Sequence, residues 1–145
     1  MKNLKLEAET IQVSIYCDII LQMLYTHEKL SVNKILVFAY LIKKERFFPK
    51  AIYNANNIQD IIYKCISQLT GDYEEYCNNI EFILKAIHLL HTNKLVLIKK
   101  NMIYGPLENN NEETIYKESN FLGKAIEASK SMTDKQFMKE VIHNV

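Results

Sequence analysis

The sequence predicts a mainly α protein: a single α-rich domain, winged-helix-like, with one small β-hairpin. Three observations predict it. Only three glycines and two prolines in 145 residues leave few sharp turns and favour long regular elements. Apolar residues recur at helical spacing through several separate stretches. After Lys94 the period changes to that of a strand, and a second β-prone run follows a short polar interruption. The expected layout is one adaptor-sized domain over residues 1–145, with a core in 11–106 and C-terminal helices in 119–144.

Ile11, Ile15, Ile19, Ile20, Met23 and Leu24 give a first helix of roughly four turns, and His27 to Leu30 interrupt the pattern. Ser31 then stands where an N-cap belongs, because its hydroxyl accepts from the free amides of the next turn. The helix it starts carries Ile35, Leu36, Phe38, Ala39, Leu41 and Ile42 and is apolar on most of its circumference, as a central core helix must be. Lys43, Lys44 and Arg46 place cations near its negative end. A third helix fits Ile58, Ile61, Ile62, Cys65, Ile66 and Leu69, with Gly71 placed to end it. Ile80, Ile83, Leu84, Ile87 and Leu90 make a fourth. The hairpin pairs Leu95–Ile98 with Met102–Tyr104, and Asn101 is the expected turn residue because asparagine tolerates positive φ. Gly105-Pro106 closes the second strand. A polar, acidic loop runs from Glu108 to Glu113. Phe121, Leu122, Ala125 and Ile126 mark a further helix, and Thr133 caps a last one carrying Phe137, Met138, Val141 and Ile142.

Composition narrows the function. Apolar residues make up 48% and charged residues 24%, the balance of a folded chain. Eighteen Lys and Arg against 17 Asp and Glu leave no basic surplus, so nucleic-acid binding would need a local patch. No apolar run of about 18 residues could span a bilayer, and no leader pattern opens the chain. Three unpaired cysteines, Cys17, Cys65 and Cys77, suit packed thiols in a reducing cytoplasm.

Chemistry-bearing motifs are sparse. His88 and His91 stand at i and i+3, without the carboxylate or third ligand a metal pair needs, so they read as surface or helix-end residues. Phosphate-binding glycine loops and nucleophile elbows are missing. No catalytic residue, metal, cofactor or small-molecule substrate is expected; an enzyme would need a site assembled from residues that read as structural, such as His88 with Cys77. The fourth helix and its hairpin look like the end of a winged helix-turn-helix. Glu74, Glu75 and Glu81 against Lys85 would repel phosphate there, which favours protein docking over duplex reading. Lys99 and Lys100 remain candidate nucleic-acid contacts at the wing. Phe47 and Phe48, beside Arg46 and other cations in a loop, read as anchors of a partner-binding surface.

The order of elements resembles the small middle component of bacterial ABC-three-component systems, the class that includes Lamassu-type anti-phage complexes. Ser14 to Ile20 looks like that family's opening helix and Asn33 to Ile42 like its apolar second helix. Lys43-Lys44-Glu45-Arg46-Phe47-Phe48-Pro49 is similar to its short basic segment ending in proline, and Ile87 to Gly105 to its C-terminal wing. These stretches lie within residues 14–105, a span of about two-thirds of the chain. Lys43 stands where the family usually has a histidine, and the family's tryptophan of the third helix is absent. The resemblance implies a non-catalytic adaptor bridging an SMC-like ABC ATPase and a nuclease-type effector, helping to restrain or position the effector. It marks Arg46, Phe47, Phe48 and Pro49 as interface candidates, with DNA reached through the complex and no membrane partner. A winged-helix DNA-binding transcriptional regulator is the alternative.

Overall fold

A computed structural model describes residues 2–45, 58–106 and 116–144. The chain is mainly helical with a small three-stranded antiparallel sheet. At its centre lies α2 (Val32–Glu45), which buries Ile35, Val37, Phe38, Ala39, Tyr40, Leu41 and Ile42, as its near-continuous apolar character predicts. Ser31 does start it: its Oγ faces the Lys34 amide at 3.4 Å. Even Lys34 is buried on this helix, because its ammonium donates to the Met132 carbonyl at 2.7 Å. Burial still pulls that lysine's pKa below its ordinary value, with Asp134 opposing. At the other end of α2, Lys44 donates to the Gln68 carbonyl at 2.6 Å and pairs with Asp72.

Two neighbours flank this rod. The longer, α1 (Lys2–His27), ends where the pattern breaks but begins more than two turns before the expected start. Tyr16, Ile19, Ile20, Met23 and Leu24 are all buried, a stripe at helical spacing. Ile11, expected on that stripe, is 58% exposed instead, because residues 3–8 and Ile11 stand beyond the reach of the core. Glu28 ends the helix at φ 70, with its amide still donating to the Leu24 carbonyl at 2.9 Å. The second neighbour, α4 (Tyr73–Thr92), includes Glu74 and Glu75 as expected, and both complement the helix dipole in its first turn. A Schellman motif closes it. The Lys94 amide reaches His91 O at 3.0 Å, the Leu95 amide reaches Leu90 O at 2.9 Å, and Lys94 itself lies at φ 60.

Helix α3 (Ile58–Ile66) packs on α5 and α6, tightens into a 3-10 turn (Ser67–Leu69) and ends before Gly71 at φ 84, the stop the sequence predicts. At the C-terminus, α5 (Asn120–Ser129) is capped by Ser119, whose Oγ accepts from Leu122 N at 3.1 Å. Thr133 caps α6 (Asp134–Asn144) as expected, in a reciprocal capping box with Gln136. Helix α5 packs on α3 and α2, while α6 brings Phe137 to within 5.4 Å of Phe38, ring centre to ring centre.

The sheet joins β1 (Lys29–Ser31), β2 (Leu97–Lys99) and β3 (Met102–Tyr104) in the order β1–β3–β2. The hairpin was legible; β1 lies in what reads as a break after the first helix. Leu30 pairs with Ile103, and Ile103 with Ile98, giving one inward row. Two bonds extend the ladder, Gly105 N to Glu28 O at 2.8 Å and Val32 N to Asn101 O at 2.9 Å. Lys100, and not Asn101, takes the positive φ (57°) at the turn. Gly105 is required where β3 meets α1: a Cβ there would come within 2.8 Å of Leu24 Cβ and of its carbonyl oxygen.

Candidate functional site

Three surfaces or clusters stand out once the helices are placed. The first is an open furrow of about 880 Å³ between the outer faces of α1 and α4, whose lining includes Leu6, Val13, Ile80, Leu84 and Leu89. Leu6, Leu84 and Leu89 are 63%, 45% and 47% exposed, a concentration of bare leucine that a solvated helix pair does not need. Glu9, Glu81 and Lys85 rim it. Lys85 reaches Glu81 at 2.9 Å and Glu9 at 3.7 Å, tying the two helices together across their surface. From Cys77 to Leu89 the furrow follows α4 for about 18 Å, a little over three helical turns.

The second is a polar network inside the bundle, where α1, α2 and α4 meet. Tyr16, fully buried, donates its phenol to Asn79 Oδ1 at 2.8 Å. Asn79 in turn donates Nδ2 to the Glu75 carbonyl at 2.8 Å. Lys43 sits 5.1 Å from the Tyr16 ring centre, reaches Asn79 Oδ1 at 3.3 Å and donates to Gln12. Burial pushes the Tyr16 phenol up and pulls the Lys43 ammonium down from their ordinary values. The upward shift keeps the Tyr16 phenol protonated, so it serves as a donor to Asn79.

The third is ionic. His27, the last residue of α1, is 2% exposed, yet both ring nitrogens meet carboxylates. Nε2 lies 2.8 Å from Glu118 Oε1, and Nδ1 lies 3.1 Å from Glu127 Oε1. A neutral imidazole has one N–H and could satisfy only one of them. The geometry therefore calls for the imidazolium. Burial alone would lower the His27 pKa, but the hydrogen bonds and charges of Glu118 and Glu127 outweigh it and the net shift is upward. Lys130 completes the group by donating to the His27 carbonyl at 2.6 Å, near the negative end of α1. The two carboxylates sit on opposite nitrogens, so they clamp α5 and the segment just before it to α1 and do not converge on one point as metal ligands would.

The residues singled out from sequence fare differently. Arg46, Phe47, Phe48 and Pro49 lie outside the described residues. Lys99 and Lys100 are exposed on β2 and at the hairpin turn. His88 and His91 are exposed on α4. The three cysteines do not share one environment: Cys65 is fully buried and Cys17 half-buried, but Cys77 is exposed, because α4 turns that position away from the core. Burial raises the thiols of Cys65 and Cys17. Cys77 and His88 both line the furrow, but 11 residues of helix set them about 16 Å apart, too far for a thiol–imidazole pair. Sequence reasoning missed the His27 clamp, whose carboxylates stand 91 and 100 residues away along the chain. Among the described residues, no helix is long and apolar enough to cross a membrane.

Comparison with protein-family models, with curated proteins and with solved structures finds no match. Function must therefore be argued from the chain's own residues.

Proposed function

We propose that this chain is a non-catalytic adaptor subunit built on a winged-helix scaffold. The observation that carries the reading is the α1/α4 furrow, with its exposed Leu6, Leu84 and Leu89. A trough between two helices, about three turns long, fits an amphipathic helix from a partner, whose apolar stripe would enter it and whose flanking charges would meet Glu9, Glu81 and Lys85. The winged-helix scaffold is supported by the order of elements: β1 between α1 and α2 joins the hairpin that follows α4. The outer face of α4 presents Glu74, Glu75 and Glu81, which suits a protein partner better than a phosphate backbone. The resemblance of Ser14–Ile20, Asn33–Ile42 and Ile87–Gly105 to the middle component of Lamassu-type systems gives that partner a class. In this reading the chain bridges an SMC-like ABC ATPase and a nuclease-type effector in the cytoplasm and helps to restrain or position the effector.

The test is a pull-down of the tagged chain from its native operon context, followed by mass spectrometry and sizing. Recovery of a coiled-coil ATPase and a nuclease-like subunit in defined stoichiometry is expected. A Leu6→Glu/Leu84→Glu variant should keep its helical circular dichroism and lose at least one of them. If both partners survive in that variant, the furrow is not the docking site. Recovery of the chain alone, without either subunit, overturns the adaptor reading.

A further inference from the structure

The face of the sheet opposite Ile103 leaves Lys29, Leu97 and Lys99 exposed, outside both the core and the furrow. Antiparallel pairing sets two rows across its three strands, Lys29–Tyr104–Leu97 and Ser31–Met102–Lys99. The intervening row of Leu30, Ile103 and Ile98 turns inward; of the other two rows Lys29, Leu97 and Lys99 are exposed, Tyr104 and Met102 half-buried, and Ser31 is buried under the start of α2. The Lys29 ammonium lies 5.9 Å from the Tyr104 ring centre. Lys94 precedes β2 and Lys100 follows it, both exposed. Across residues 28–31 and 94–104 there are four lysines and a single carboxylate, Glu28. A chain of net charge +1 thus concentrates cations in one place.

Backbone conformation fixes where two of these lysines stand. Lys94 and Lys100 both hold left-handed φ, 60° and 57°. Each has an asparagine as its neighbour, Asn93 and Asn101, yet the strained position is occupied by lysine both times. The Schellman end of α4 and the hairpin register account for both positions, and both leave the lysine side chain exposed at a turn beside the sheet.

We propose that this sheet face and its two flanking turns bind the sugar–phosphate backbone of a nucleic acid, independently of base sequence, through Lys29, Lys94, Lys99 and Lys100. The two rows stand roughly 7 Å apart along the strands, a spacing at which lysines can meet successive phosphates of one strand. Tyr104 and Leu97 lie between the cations and offer a flat apolar platform for a sugar or an unpaired base. That aromatic interleaving favours nucleic acid over an acidic protein surface, for which the cations alone would suffice. The acidic face of α4 takes no part, so the contact differs from major-groove reading by a helix. This inference does not rest on the adaptor reading and survives its failure.

The experiment is fluorescence anisotropy of the full chain against labelled duplex and single-stranded oligonucleotides over a range of salt. Wild type should bind with micromolar-order affinity that falls steeply as salt rises. The variant Lys29→Gln/Lys94→Asn/Lys99→Gln/Lys100→Asn should bind at least tenfold more weakly, with the salt slope reduced by about one per lost phosphate contact. Asparagine tolerates left-handed φ, so two of these four changes relieve strain, and thermal melting should show a fold at least as stable. Tyr104→Ser should weaken single-strand binding more than duplex binding if a base stacks there; equal loss assigns the platform to the sugar. Lys135→Gln/Lys139→Gln, on the exposed face of α6, is the control and should change nothing. No salt-dependent binding by wild type, unchanged binding by the quadruple variant, or equal loss in the control overturns the proposal. Equally effective competition by polyglutamate at matched charge also overturns it.

Discussion

The two polar clusters that α1 builds, one at Tyr16 and one at His27, solve the same problem by opposite means. Each ties α1 to a helix distant in sequence across an otherwise apolar interface. At Tyr16 the tie is a chain of hydrogen bonds among a phenol, an amide and a backbone carbonyl, with Lys43 at its edge. At His27 it is an imidazolium held between two carboxylates. A neutral network needs every donor and acceptor matched but is indifferent to pH. An ionic clamp tolerates looser geometry and works only while its charges exist. The distribution follows the neighbours: Asn79 is enclosed, whereas Glu127 is 53% exposed and keeps half of its hydration.

The sharpest break of this contrast is His27→Leu. Near pH 6 it should destabilise the fold by about 2 kcal/mol, from the loss of two charge-assisted hydrogen bonds and the stranding of Glu118, measured by urea unfolding. The effect should also depend on pH. The folded-state pKa of His27 lies above the ordinary histidine value, so its contribution is fully present below that value and disappears as pH rises through the raised one. Wild type and His27→Leu should therefore converge in stability toward alkaline pH. Parallel curves across the whole range would mean that His27 is not the imidazolium.

Asn79→Ala comes next in size. It removes the acceptor of the buried Tyr16 phenol, and an unsatisfied buried donor costs roughly 1–3 kcal/mol. Burial raises the Tyr16 pKa, so the phenol remains protonated through and beyond its normal range. The loss in Asn79→Ala should then be flat from acid to mildly alkaline pH, in contrast with His27→Leu. Urea unfolding of both variants in the same buffers makes the comparison directly.

How legible these features were depends on whether their signal was local. The α2 core helix, the caps at Ser31 and Thr133 and the stop at Gly71 all follow from residues within a turn or two of one another, and each was readable. The hairpin is readable too, with Asn101 in its two-residue turn, but the positive φ falls on Lys100. Asn101 is the better left-handed residue by propensity, yet pairing of Lys99 with Met102 places Lys100 at that φ. Strand β1 was invisible because three residues with one inward side chain, Leu30, carry no periodicity; only pairing with β3 makes them a strand. Ile11 was misassigned because spacing identifies a helix face but not where the core ends. The acidic face of α4 was plain from its sequence, whereas the furrow needs the crossing of α1 over α4, which no local pattern supplies.

The smallest change tests whether the clamp has two jaws or one. Glu118 is 17% exposed and holds Nε2 with both oxygens, at 2.8 and 3.0 Å, while Glu127 makes a single 3.1 Å contact and shares its charge with Lys130. Desolvation of Glu127 would raise its pKa, but His27 and Lys130 prevail and hold it below the ordinary glutamate value. Its contribution is therefore present above that ordinary value and lost only as pH falls through the depressed one. Together the two shifts confine full clamping to a window bounded below by Glu127 and above by His27. Because water screens a half-exposed carboxylate, Glu127→Gln should cost no more than about 0.5 kcal/mol at neutral pH. An NMR titration of the His27 ring reads its effect more sensitively than unfolding does. The ring should stay protonated above the usual histidine pKa on the strength of Glu118 alone, with a midpoint lower than in wild type. A midpoint that drops to or below the ordinary histidine value would show instead that Glu127, despite its exposure, is the jaw that keeps the imidazole charged.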